Sequence, residues 1–133
     1  MYVVNTKIDK SYLRWKDLGN EGLKDLSKIE SKELKVLDLG FNNISDISVL
    51  EKVNFKELKN LELYCNEISD INVLEKVNFK KLKELNLSNN KISDINILEK
   101  VDFKKLEELD LSWNEISYKD ISAFKKLKQL KFE

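Results

Sequence analysis

One eleven-residue phrase, L-x-x-L-x-L-x-x-N-x-I, is repeated four times, at Leu34 to Ile44, Leu58 to Ile68, Leu82 to Ile92 and Leu106 to Ile116. Each copy begins 24 residues after the one before it. This constant period restricts the fold more than any other property of the chain. A unit so short cannot bury its own apolar side chains, so the units must stack into a coil with one shared interior. Within each phrase the leucines alternate with other residues, the pattern of a short half-buried strand. Leucines then face the interior, and the residues between them face the other way, onto the concave side of a parallel sheet.

The asparagine that closes each phrase (Asn42, Asn66, Asn90, Asn114) falls at the bend after the strand. Its amide carries two donors and an acceptor, enough to bond the turn and the adjacent coil, so these side chains are expected to point inward. Next comes I-S-D-I, three times, ending at Ile47, Ile71 and Ile95. Ser48, Asn72 and Asn96 each stand three residues before a glutamate, a capping-box spacing that predicts one or two turns of helix on the outer side. Phe55, Phe79 and Phe103 recur at one slot and should stack as an internal spine.

The ends deviate from the period. Tyr2-Val3-Val4 reads as a short edge strand. Extending the frame back by one period makes Lys10 to Glu33 a degenerate first repeat, with Leu13 and Trp15 where Leu37 and Leu39 sit, and Leu18 in the asparagine slot. A helical hairpin turning at Gly19-Asn20 is the alternative. At the other end the step from Leu106 to Leu127 is shorter than the period. Leu127-x-x-Leu130-x-Phe132 forms a last strand, its edge blunted by Lys128 and Lys131. The whole chain is thus read as one domain: an N-terminal segment and capping repeat over 1–33, four repeats over 34–126 and a terminal strand over 127–133.

Composition removes several function classes. The 24 basic and 24 acidic residues cancel, so no global charge draws the chain to nucleic acid or an anionic membrane. Histidine is absent, and with it the commonest general base and metal ligand near neutral pH. Cys65 is alone, which excludes an internal disulfide and fits a reducing compartment. No apolar run is long enough to span a bilayer, and MYVVNTKIDK has neither the basic nor the apolar region of a signal peptide. These features lead us to expect a cytoplasmic protein without cofactor or metal.

The extended phrase L-x-x-L-x-L-x-x-N-x-I-S-D-I-x-x-L resembles the internalin-like subgroup of leucine-rich repeats and the regulatory subunit of protein phosphatase one, firmly over Leu34 to Ile121. Those relatives use 22-residue repeats; here the extra residues are most simply placed in V-L-E-K-V-x-F. The resemblance implies an α/β fold, a right-handed leucine-rich repeat solenoid. A parallel β-sheet lines its concave face, a surface used for protein binding, and short helices lie on the convex face.

Repeats that are otherwise near-copies (ISDISVLEKVNFKE against ISDINVLEKVNFKK) differ most at the slots between the leucines. In the frame above, one column is Tyr12, Val36, Asn60, Glu84, Glu108 and Gln129, and the next is Arg14, Asp38, Glu62, Asn86, Asp110 and Lys131. A third holds Lys16, Gly40, Tyr64, Ser88 and Ser112, and the rim holds Phe41, Cys65, Asn89 and Trp113. Val36, Asp38, Phe41, Asn60, Glu62, Tyr64, Glu84, Asn86, Glu108, Asp110 and Trp113 are the candidate partner-binding residues. Carboxylates beside aromatics suit a basic protein or peptide. Solvated carboxylates that only keep the sheet soluble are the competing explanation. Asp38 and Glu62 would stand about 5 Å apart, as in retaining glycosidases, but an open curve offers no water-excluding pocket, and no loop completes a cation site. Five or six strands about 4.8 Å apart make a face roughly 20–25 Å across. A standard interface takes about 800 Å² from each partner, more than this concavity offers without its rim. The lysines of the outer segments, interleaved with glutamates, are a solvated surface. The expectation is a non-enzymatic, monomeric interaction module; self-association through exposed end strands is the alternative.

Overall fold

A computed structural model of the chain describes residues 10–28, 32–117 and 129–131. Six three-residue strands form one parallel sheet in chain order: β1 (Lys10–Tyr12), β2 (Val36–Asp38), β3 (Asn60–Glu62), β4 (Glu84–Asn86), β5 (Glu108–Asp110) and β6 (Gln129–Lys131). Between β2 and β5 the register follows the period, with Leu37, Leu61, Leu85 and Leu109 side by side. Leu109 then pairs with Leu130, the shortened step that the sequence predicts. The leucines and isoleucines of the repeated phrase form the interior, nearly all fully buried, from Leu34 to Leu111. Phe55 and Phe79 are buried with them, and Phe103 is partly buried against the same core. The chain is therefore a leucine-rich repeat solenoid.

The asparagines point inward, as their chemistry predicts. The Asn66 Oδ1 accepts the backbone N–H groups of Asn42 and Ile44, both at 3.0 Å, and its Nδ2 donates to the carbonyls of Leu39, Leu63 and Tyr64. Asn90 repeats this one coil on, taking the Ile68 N–H and bonding the Leu63 and Leu87 carbonyls. Each amide thus closes its own bend and ties it to the preceding coil.

The outer segments differ from expectation. The one α-helix among the described residues is α1 (Gly19–Lys24), which runs into a 3-10 turn at Asp25–Lys28. The later coils carry only 3-10 turns, Ser48–Lys52, Asn72–Glu75 and Asn96–Glu99, and no side chain caps them. The capping box does not form. Instead the aspartate of each I-S-D-I accepts the N–H two residues on: Asp46 from Ser48, Asp70 from Asn72 and Asp94 from Asn96, at 2.8–3.0 Å. A turn of four or five residues leaves no room for the reciprocal bond, and an Asx turn satisfies the same N–H sooner.

The first repeat is a repeat, but in a different frame. β1 pairs with β2 as Lys10↔Val36, Ser11↔Leu37 and Tyr12↔Asp38. This coil is therefore two residues longer than the 24-residue coils that follow it, and the residues from Lys10 to Leu18 move by two slots. Leu13, whose N–H bonds the Asp38 carbonyl, takes the Leu39 slot, and Leu18 takes that of Ile44. The asparagine slot holds Lys16, whose N–H, like that of Leu18, is accepted by the Asn42 Oδ1 at 3.1 Å. Gly19 opens α1 and is not the turn of a hairpin. Leu23 and Leu26 are buried. Tyr2 to Val4, Ile29, Leu127 and Phe132 lie outside the described residues.

Candidate functional site

The strands set three columns across the concave face, and a rim of five residues follows them: Trp15, Phe41, Cys65, Asn89 and Trp113. The rim is a continuous ladder. The N–H of Trp15 bonds the Gly40 carbonyl, Phe41 that of Tyr64, Cys65 that of Ser88 and Asn89 that of Ser112. All five have left-handed backbones, with φ between 52° and 59°. That conformation disfavours a side chain with a Cβ by about 1–2 kcal/mol, and asparagine tolerates it best. Asn89 is the residue the backbone prefers; the two tryptophans and Phe41 are bulky aromatics held there against that preference.

The lengthened first coil brings three residues into the site at positions that a uniform frame assigns elsewhere. Trp15 stacks on Phe41 with ring centroids 3.7 Å apart and planes 10° from parallel. Phe41 in turn meets Tyr64 edge to face at 5.4 Å. The Tyr64 ring lies across Gly40, where an added Cβ would come within 2.5 Å of it. This close approach is what requires glycine there. Tyr12 stands in the Asp38 column, and Arg14 in that of Gly40, with its guanidinium 6.0 Å from the Tyr12 ring centre.

Arg14 changes the role of Asp38. The Asp38 carboxylate is bonded at 3.2 Å by Arg14 Nε and accepts the Gly40 N–H at 3.0 Å, and the residue is only 4% exposed. Expected as an exposed acidic contact, it is instead a buried, neutralised part of the floor beneath the aromatic corner. Asp38 and Glu62 are therefore not a pair of solvent-reaching carboxylates. Asn86 and Asp110 share the turn function of Asp38: each Oδ1 accepts the N–H two residues on, and the hydroxyl, of Ser88 and Ser112 respectively. Their remaining surface stays partly open to the concave side.

Glu62 is the exception in that column. Its longer side chain is half-buried, and desolvation raises its pKa; Asn86 and Asn60 hydrogen bonds oppose the rise, while Asp38 and Glu84 add to it. Asn60 bonds the Glu84 carboxylate through Nδ2 at 2.9 Å, while its Oδ1 is buried without a protein partner. Val36 and Glu108 are partly exposed in the same column as Asn60, and Glu84 is exposed. Trp113 stands at the far end of the rim, 69% exposed. The face thus divides into an aromatic corner around Phe41 and an acidic, amide-rich stretch from Glu62 to Asp110, ending at Trp113.

Hollows on the described surface lie on the outer turns, between Asp46 and Asp70 and between Val77 and Phe103, away from the concave face. Among the described residues no group of three or more Cys, Asp or Glu side chains is placed to hold a metal ion.

The architecture defines a class of protein, and the sequence agrees. Leucine-rich repeat profiles match residues 56–116 and, as two copies, residues 32–76. The chain belongs to the leucine-rich repeat family, of internalin-like type. Among similar solved structures is an internalin (inlF) from Listeria monocytogenes, 33% identical, with a TM-score of 0.60 over 77% of this chain and 31% of that one. Internalin C2 of the same organism is 26% identical, with a TM-score of 0.63 over 86% of this chain and 56% of that one. A leucine-rich repeat protein of Leptospira interrogans is 26% identical, with a TM-score of 0.55 over 83% of this chain and 33% of that one. This chain therefore spans between about a third and just over half of the proteins it resembles. No curated protein matches it in sequence. Proteins of this family generally mediate contacts with other proteins.

Proposed function

We propose that the concave face is a non-enzymatic docking surface for a basic protein or peptide. The observation that carries this reading is Glu62, a half-buried carboxylate with a raised pKa, set among Asn60, Glu84 and Asn86 on an open wall. A carboxylate that has lost much of its water gains more than an exposed one from an incoming ammonium or guanidinium. Asp38 is satisfied by Arg14, so the attractive charge lies further along the sheet, at Glu62 and Glu84. Glu62→Lys is expected to lower the affinity for a lysine- and arginine-rich peptide by at least about tenfold, the scale set by loss of a close charge pair. Isothermal titration measures it, and unchanged affinity would refute the assignment of this face.

The same carboxylate makes the reading pH-dependent. Its folded pKa is raised, so its contribution to stability is complete below the unfolded carboxyl value, about 4.3. That contribution is lost as pH rises through the folded value. Binding of a cation acts the other way: it favours the ionised form, releases a proton and strengthens as pH rises through the free protein's raised pKa. Glu62→Gln should therefore flatten the acid-side pH dependence of peptide affinity, and should leave the protein slightly more stable near neutral pH. Titrations and thermal melts run from the acid side up to neutral pH would test both; an identical pH profile for variant and parent would rule out Glu62 as the titrating contact.

A further inference from the structure

We infer that the partner segment is a single extended, cationic stretch that bridges the sheet from end to end, held at Trp15 and Trp113. The inference rests on the reading of the concave face as a surface for basic partners and adds to it the length and spacing of what is bound.

Four observations converge on it. Trp15 and Trp113 occupy the same rim slot after β1 and β5, and both are largely exposed, 68% and 69%. Both adopt the left-handed conformation, which the same slot elsewhere gives to Asn89, so the backbone favours a smaller residue at each position. Trp15 has one ring face seated on Phe41. Its other face is left as a rigid platform of the kind cations bind best. The coils between the two indoles carry Glu62 and Glu84 on the concave face, three and five residues before the rim along their strands, with Asn60 bridging to Glu84.

The dimensions select the occupant. From the β1 rim to the β5 rim there are four strand spacings, about 19 Å at roughly 4.8 Å each. An extended peptide advances about 3.3 Å per residue, so side chains six positions apart are about 20 Å apart and point the same way. A segment with arginines at positions i and i+6 can set one guanidinium on each indole, and a lysine at i+2 or i+4 can then reach inward from the rim toward Glu62. A compact partner carrying the same charge reaches one indole only.

The chain contains two tryptophans, and they are these two, so intrinsic tryptophan fluorescence reads both anchors and nothing else. The probes are two synthetic peptides of equal length and charge, with Ser and Gly as filler. One has arginines six positions apart and a lysine between them; the other has the three cations adjacent. With the spaced peptide, Trp15→Phe and Trp113→Phe chains should each still report a fluorescence change, with one common dissociation constant. The adjacent peptide should bind about tenfold or more weakly, and Trp15→Ala or Trp113→Ala should each lower affinity for the spaced peptide about tenfold, as loss of a desolvated cation–π contact would. Equal affinity for the two peptides, or a response from one tryptophan alone, overturns the bridging inference. If Glu62→Lys still abolishes binding in that case, the concave-face reading survives without it. If Glu62→Lys leaves every affinity unchanged, both fall together.

Discussion

Asn66→Ala is expected to lower the stability of the protein by about 3–4 kcal/mol, the scale of leaving several buried hydrogen-bonding groups unmet. The Asn66 amide accepts two N–H groups of the preceding coil and donates to the Leu39 carbonyl, as well as to two carbonyls of its own bend. Alanine offers none of these bonds, and the site is too buried for water to replace them without opening the coil. Because the bonds cross from one coil to the next, the damage falls on the coupling between coils. In a linear array, stability is the sum of unit and nearest-neighbour terms, so weakening one interface should broaden the transition as well as shift it. Urea unfolding followed by circular dichroism would show both a lower midpoint and a shallower slope. Asn78, exposed just before Phe79, is the control, and Asn78→Ala should cost no more than about 0.5 kcal/mol. A loss under about 1 kcal/mol for Asn66→Ala, no more than one ordinary hydrogen bond, would mean that the asparagine ladder does not hold the coils together.

Phe55→Ala should be as damaging by a different mechanism, about 3–5 kcal/mol for a large aromatic removed from a packed interior. Phe55 is fully buried, and its carbonyl accepts the Leu58 N–H at 3.1 Å, so the ring is held at the start of a strand-entry turn that cannot readily collapse into the space. Phe103, partly exposed at the equivalent slot, has less to lose, and Phe103→Ala should cost roughly half as much. Parallel chemical melts of the two variants give the comparison. Equal losses would show that the phenylalanines do not grade from a buried core to a more open end.

The architecture is legible in the sequence because its cause is periodic. With Leu37, Leu61, Leu85 and Leu109 evenly spaced along the chain, stacking them fixes strand register, the inward face and the place of the asparagines. The first coil is legible as a coil but not in its length. In the first coil the asparagine slot holds Lys16, so the motif that would set the frame is missing. The two-residue shift moves Trp15 from an interior slot to the rim, and Tyr12 and Arg14 one column along the concave face. Asp38 reads as an exposed charge in the sequence; its burial follows from the Arg14 guanidinium and the Gly40 N–H. The 3-10 turns escape a reading of the sequence for another reason. The Ser-to-Glu spacing of a capping box is present, but Asp46, Asp70 and Asp94 reach the same N–H groups first. The alternation of the strand is enough to place Glu62 on the concave face. What sets it apart from Asp38, Asn86 and Asp110 is the length of its side chain in a column of turn-formers, which no pattern of apolar residues encodes.

The bonds that join the coils repeat with the chain's own translation. Ile44, Ile68 and Ile92 each donate to an asparagine 22 residues ahead, and Asn66, Asn90 and Asn114 each reach a carbonyl 27 residues behind. An in-frame deletion or duplication of one whole coil would therefore restore every one of these pairings across the junction. Its main effect would be to change the separation of the two indoles by a single increment, about 4.8 Å. On the bridging inference, coil number would act as the gauge of a calliper: the jaws keep their chemistry while the opening between them, and with it the length of ligand accepted, is reset.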